Sequence, residues 1–430
     1  MEQLNFKTNT MNICNVYIYV PAGSIYEKPG IFGISHLLEH MLMKQTKTFT
    51  TEKLHTKLTE IGGITNAGTT KDLTYYYIRT HVDNYKEAIE IMYSIINEPK
   101  FSEEELENEK KIVLEELRQG KDNSENELYQ AAKLSVLPKK NELSFPVIGK
   151  EEDIKRITVH DLKEYFKRRY SEYVVFIYGD VKHMKQIKAL TIKTFGKESM
   201  NRSFNFKEEN KNPSYFLTLD RGKIIFFPKP DFIQYSTYLT FPTISIYDIK
   251  KIIVVNFLRF ILASGGLNSI LYKKLREKRG LVYSIFTLND ESRGIGLFQI
   301  NFSTSNNNIN YIISLILESL LDLKIRGITE KQLKFWKKGM VNKTKYLFVN
   351  GTFKEMWDYN NTFYQLKLDE KTFLKEINSV TNDDVKSVSR NTFNFIKMGI
   401  VSSGNYPKND TDLTTYLDDL RETYQKLSPQ

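Results

Sequence analysis

The sequence of 430 residues holds one cysteine, Cys14. No intrachain disulfide can form, which suits a reducing, cytoplasmic setting. There is no Lys/Arg block of five or more, no zinc-finger spacing and no aromatic RNA-binding signature, so no nucleic-acid partner is expected. Long hydrophobic runs are missing as well. The greasiest stretch, Ile252 to Ala263, is broken by Asn256 and Arg259 and is too short to span a bilayer. The opening MEQLNFKTNT lacks the basic-then-apolar pattern of a secretory signal. Histidine is scarce and lopsided: all 6 lie at or before position 183. A histidine-based metal site is therefore confined to the first half.

What is present reads as a globular protein. Hydrophobic residues make up 40% and charged residues 27%, and the length exceeds what one core usually serves, so two or three domains are expected. The formal net charge of +10 fits a lysine-rich solvated surface; the alternative is an acidic partner.

Strand and helix signals alternate along the chain. Val16–Val20 and Leu73–Thr80 are rich in aromatic and β-branched residues and read as strands. Ile34–Lys44, Thr51–Glu60 and Asn84–Ile96 read as helices. Ser102 followed by Glu105 is a capping-box pattern, and the helix it opens is predicted to run to Gln119 and stop at Gly120. More helix follows to about Arg169, then a strand at Tyr173–Tyr178. The polar stretch Asn201–Pro213 reads as a linker. Beyond it the pattern returns. A strand at Tyr235–Phe241 is stopped by Pro242, then come a long helix, a glycine pair, a strand at Leu297–Thr304 and a helix at Asn310–Leu323. The segment ITEKQLKFWKKGMV aligns with FSEEELENEKKIV without a gap. The fold class expected is therefore α+β: two homologous domains of mixed or antiparallel sheet packed with helices, at residues 1–205 and 206–430.

The chemistry concentrates in His36-Leu37-Leu38-Glu39-His40. Residues four apart share a helix face, so both imidazoles can reach one ion, and Glu39 points nearly the same way. Zinc takes imidazole nitrogen and carboxylate oxygen, with three protein ligands and a water in catalytic sites. A nearby carboxylate can take the proton of that water, and Glu39 is placed to do so. The flanking Leu37, Leu38, Met41, Leu42 and Met43 point to a buried helix, where unpaired His and Glu are costly. A third ligand is needed. On the glutamate-rich helix, Glu109, Val113 and Glu116 share one face, whereas Glu115 points about 100° away. Both Glu109 and Glu116 stay candidates on this ground. His55, His81, His160 and His183 have no matching ligand spacing and read as structural or surface residues.

H-x-x-E-H is an inverted zincin motif. Together with GGITNAGTTKDLTYYY and FSEEELENEKKIVLEEL, it resembles the pitrilysin family, which includes insulin-degrading enzyme, mitochondrial processing peptidase and shorter bacterial peptidases. The resemblance covers essentially the whole chain. It implies a zinc metalloendopeptidase with one zinc per chain, ligated by His36, His40 and Glu116. Glu39 would be the base and Glu109 the partner behind the ligands. Asn66 and Ala67 match the family's N-A motif before the strand that receives substrate as an added strand, and LASGGLNSILYKKLREKRGLVYS resembles its C-terminal signature. There Arg276 and Tyr283 would grip the substrate, the guanidinium on a peptide carbonyl and the phenol on the developing oxyanion. The chain departs from the common pattern at Gly68, where the family often carries an aromatic, and at Gln45, where glycine is frequent. Both departures bear on substrate preference.

The aligned segments place Trp336 opposite Glu109 and Lys343 opposite Glu116, so the second domain has no metal site. In shorter family members one chain's first domain faces another chain's second domain. A homodimer or a heterodimer with a related chain is thus implied, enclosing a chamber for short unfolded peptides. Leader- or precursor-peptide processing is one use for such a chamber. The alternative from another class is a non-catalytic scaffold or regulatory subunit; the intact His36, Glu39, His40 and Glu116 set speaks against it.

Overall fold

The computed structural model describes residues 4–196, 217–305, 308–349, 351–366, 368–406 and 411–429. The chain forms two compact units. The first comprises Met1–Asn123 and Phe145–Glu208, the second Ser124–Ser144 and Glu209–Gln430.

The first unit is a five-stranded sheet carrying helices. Its strands are β1 (Leu4–Asn9), β2 (Ile13–Val20), β3 (Ile64–Thr69), β4 (Thr74–His81) and β5 (Val174–Asp180), in the spatial order β1-β5-β2-β4-β3. Only β1 and β5 are parallel; the other pairs are antiparallel. Strand alternation divides the side chains between two faces. Val16, Ile18, Tyr76, Ile78, Val175 and Ile177 enter the core against the helices Ile34–Leu42, Tyr85–Asn97 and Val159–Arg169. Tyr17, Tyr19, Tyr75 and Tyr77 take the other face.

The second unit repeats this plan. Its strands β6 (Ile224–Pro228), β7 (Tyr235–Thr243), β8 (Ser284–Asp290), β9 (Gly296–Thr304) and β10 (Gly399–Gly404) lie in the order β6-β10-β7-β9-β8. Strand for strand the two orders are the same, with the parallel pair again formed by the unit's first and last strands. The two helices that align without a gap, Glu103–Asp122 and Glu330–Val349, are both 20 residues long. The α+β reading with a duplicated domain therefore holds in the topology.

Several expectations need correcting. Helix Glu103–Asp122 passes through Gly120 rather than stopping there. Gly120 has no positive φ, so it takes no C-cap role, and its cost inside a helix is only about 1 kcal/mol. Half of the capping box forms: Ser102 accepts from the Glu105 amide at 3.2 Å, while the Glu105 carboxylate accepts from Thr51 at 2.7 Å. Strand β7 runs through Pro242 to Thr243. The long helix of the second half, Ile249–Arg259, widens into a π-helical turn at Phe260–Ser264 before Gly265-Gly266. The linker read at Asn201–Pro213 lies outside the described residues, as does the cut expected at 205/206.

An earlier crossing also separates the two units. Residues Ser124–Ser144, read from sequence as part of the first domain, belong to the second unit. Leu128, Ala131 and Ala132 of helix Ser124–Leu134 pack on Tyr238 of β7 and Val401 of β10. Their strand neighbours Leu239 and Ile400 point into the main core, so this helix covers the opposite face of the second sheet. Lys133 on the same helix pairs with Asp290 of β8 at 2.5 Å. Among the described residues, no helix is long and apolar enough to cross a membrane.

Candidate metal centre

The centre is built on the short helix Ile34–Leu42. Leu37, Leu38, Met41 and Leu42 are fully buried and fix its rotation, which turns His36 and His40 toward helix Glu103–Asp122 and Glu39 toward Thr69 of β3. Its N-terminus is held with unusual care. Gly33 sits at φ 96°, and a Cβ there would come within 2.6 Å of the Ile148 carbonyl oxygen. The buried Glu27 carboxylate accepts from the Gly33 amide at 2.7 Å and the Ser35 amide at 3.0 Å. Two of the helix's unpaired N–H groups are thereby satisfied. Burial pushes the Glu27 carboxyl up to about 7, against the lowering effect of those two amides. The Ser35 hydroxyl lies 2.7 Å from that of Tyr165, tying the helix to Val159–Arg169.

The two imidazoles stand 4.7 Å apart, centroid to centroid. Glu116 Oε2 lies 3.7 Å from His36 Nε2 and 3.7 Å from His40 Nε2. The three ligand-type atoms fall within 4.8 Å of one another, and this is the one such group among the described residues. Tetrahedral zinc with bonds near 2 Å sets its ligand atoms about 3.3 Å apart, so the trio fits one cation after a small contraction. Donor chemistry agrees: two neutral-capable imidazoles and one carboxylate suit zinc.

Behind the trio, Glu109 is buried and its Oε2 lies 3.0 Å from His40 Nδ1. This carboxylate–imidazole contact leaves His40 Nε2 turned toward Glu116 and fixes the tautomer that can ligate there. Lys44 Nζ sits 2.7 Å from the other Glu109 oxygen. Burial opposes the Glu109 charge, but His40 and Lys44 outweigh it and hold the carboxyl below its ordinary value. His36 has no such support: its buried Nδ1 meets no hydrogen-bond partner among the described residues. Burial, with the adjacent His40, takes His36 down to about 4, which keeps it neutral near pH 7. For His40, burial is overcome by the Glu109 hydrogen bond and the charges of Glu116 and Glu39, and the net shift is upward.

Glu39 is buried, and one oxygen accepts from the Thr69 hydroxyl at 2.6 Å. Burial raises its carboxyl more than Thr69 and His40 lower it. Thr69 lies at the end of β3 and in turn meets the Thr74 hydroxyl at 3.3 Å. Asn66 and Ala67 lie within β3 itself rather than before a strand, paired with Tyr77 and Tyr76. Arg276 and Tyr283 belong to the second unit. Arg276 lies next to the end of the π-helical turn Tyr272–Glu277, with its guanidinium 5.9 Å from the Tyr283 ring, and Tyr283 is largely exposed.

The structure thus brings together His36, Glu39, His40, Glu109 and Glu116. Sequence reasoning missed three side chains here: Glu27, Lys44 and Thr69. Lys44 stands four residues beyond His40, a helical spacing that could have flagged it. Glu27 and Thr69 reach the helix from other segments, and no local spacing announces them. Of the remaining histidines, His81 pairs with Asp83 at 3.1 Å and His183 with Asp180 at 3.0 Å.

Two family models match this chain. Residues 5–147 match the insulinase (peptidase family M16) model, and residues 156–340 match the model described as peptidase M16 inactive domain. Together they span well over half of the sequence, and the chain belongs to the M16, or pitrilysin, family. It is 28% identical over 311 residues to an uncharacterized zinc protease of Rickettsia bellii, covering 72% of each chain. To an uncharacterized zinc protease of Bacillus subtilis it is 26% identical over 412 residues, covering 93% of this chain and 95% of that one. A probable mitochondrial-processing peptidase subunit beta of Arabidopsis thaliana is 29% identical over 200 residues, 45% of this chain and 36% of that protein. A Helicobacter pylori protease of known structure shares the fold with a TM-score of 0.80 at 21% identity, covering 94% of this chain and 97% of that one.

Proposed function

We propose that the protein is a zinc-dependent endopeptidase in which His36, His40 and Glu116 hold the metal and Glu39 is the catalytic base. The observation that carries this reading is the convergence of the three ligand-type atoms within 4.8 Å, with Glu39 on the same helix. A zinc ion held there would polarise a water and the scissile carbonyl. The remaining chemistry falls to the chain. Glu39 accepts the proton of the attacking water and delivers it to the leaving amine nitrogen. Its raised carboxyl suits both halves of that task, and Thr69 restrains one oxygen, leaving the other to take the proton. Glu109, clamped by Lys44, keeps the His40 ring in its ligating orientation.

β3 ends its sheet, so an extended peptide can add to its outer edge alongside Asn66 and Ala67. By the family resemblance, Arg276 and Tyr283 grip substrate beside a zinc, in this chain or in a partner chain of a dimer. The substrates in this reading are short unfolded peptides, leader or precursor peptides among them. The test is metal analysis of the purified protein beside Glu39→Gln, with peptide hydrolysis followed in both. Near-stoichiometric zinc in both chains and hydrolysis in the unmutated chain alone is the expected result. Hydrolysis retained by Glu39→Gln would remove Glu39 from its role.

A further inference from the structure

The edge strand beside Glu39 carries an unusual pair. Gly68 of β3 lies directly across from Tyr75 of β4. A Cβ at Gly68 would stand 2.5 Å from the Tyr75 hydroxyl oxygen and 2.6 Å from Cζ. Gly68 has no positive φ, so its backbone would accept a side chain. What excludes one is the phenol end of Tyr75, which fills that space.

Tyr75 is also one tile of a larger surface. Its ring stacks on Tyr77 at 6.4 Å with 13° between planes and leans on Tyr19 at 6.3 Å. Tyr77 and Tyr19 both stack on Tyr17, at 5.4 and 5.9 Å. Four tyrosine rings thus cover the sheet face opposite the helix-packed core. Tyr75 stands nearest the chemistry: Thr69, next to Gly68, bonds Glu39. Burial first and then the Glu39 charge push the Tyr75 phenol upward, which agrees with that proximity.

We propose that Tyr75 is a specificity-determining residue, whose ring replaces a side chain at Gly68 and forms the wall that receives a large apolar or aromatic side chain of the peptide beside the cleaved bond. The proposal rests on the peptidase reading above. Side chains of a strand added to β3 alternate between the two sheet faces, so every second one lands on the tyrosine face beside Gly68. Ring faces carry partial negative charge and reward apolar and aromatic contact. A carboxylate there would meet both the ring faces and the charge of Glu39.

The test uses peptides identical except at one position, carrying Phe, Ala or Glu, with that position scanned across the cleavage site. kcat/KM is measured in the unmutated chain, and Kd without turnover in Glu39→Gln. At one position Phe is expected to exceed Ala, and Ala to exceed Glu. Tyr75→Ala lowers the Phe-over-Ala preference about three- to tenfold in both readouts. The swap Gly68→Phe with Tyr75→Ala restores it, and Gly68→Ala, which displaces the phenol, weakens it. A preference unchanged in Tyr75→Ala and Gly68→Ala, with hydrolysis intact, overturns the role of Tyr75 alone. A zinc-loaded chain that hydrolyses none of the peptides overturns the peptidase reading and this inference with it.

Discussion

The two units use one strand order for opposite ends. In the first, helix Glu103–Asp122 presents Glu109 and Glu116 to the histidines. In the second, the matching positions of Glu330–Val349 hold Trp336 and Lys343, and both meet Phe260. The Trp336 ring packs edge-on at 5.7 Å, and Lys343 Nζ lies 5.4 Å from the ring while bonding the Ser264 carbonyl at 3.2 Å. A polar cluster has been replaced by an aromatic contact with the topology intact. The residues of the candidate metal centre are therefore not what specifies the fold. Each sheet and its apolar cluster do that, and the buried charge near His40 is a cost that the shared topology does not require.

The comparison can be broken from either side. The largest stability effect is expected in the second unit. Trp336→Ala removes a buried ring and should cost about 3–5 kcal/mol by denaturant titration. Its zinc content should not change, because the fold of the first unit does not draw on Trp336. Next is Glu109→Gln, which keeps the shape but loses the charge behind His40. Zinc affinity, read by competition with a chelator, should fall about 10- to 100-fold with the fold retained. A smaller effect is expected at Glu27→Gln, where one of two backbone donors keeps a good acceptor. The loss should be about 1 kcal/mol. Its pH dependence has a definite sign. Because the folded carboxyl is raised from 4.5 to about 7, its contribution is full below 4.5 and is lost as pH rises through about 7. The stability gap between the unmutated chain and Glu27→Gln should therefore narrow from pH 5 to pH 8.

Much of this site was legible because its periodicity is local. His36 and His40 lie one turn apart, and Glu109 and Glu116 two turns apart, so helical geometry alone put each pair on one face. The order of strands and helices was legible for the same reason, and their repetition exposed the duplication. What stayed hidden depends on partners distant in sequence. The apolar face of Ser124–Leu134 would suit either core, so its place in the second unit could not be read from its own residues. Glu27 reaches a helix start across a loop, and Thr69 reaches Glu39 across 30 positions. The emptiness of Gly68 only acquires meaning once Tyr75 is seen beside it.

The most direct measurement is the zinc content of the unmutated chain, of His40→Ala and of Trp336→Ala, each purified after dialysis against a weak chelator. One zinc in the first and third proteins and almost none in the second is the expected result. Undiminished zinc in His40→Ala, or two ions in the unmutated chain, would contradict a single centre shared by His36, His40 and Glu116.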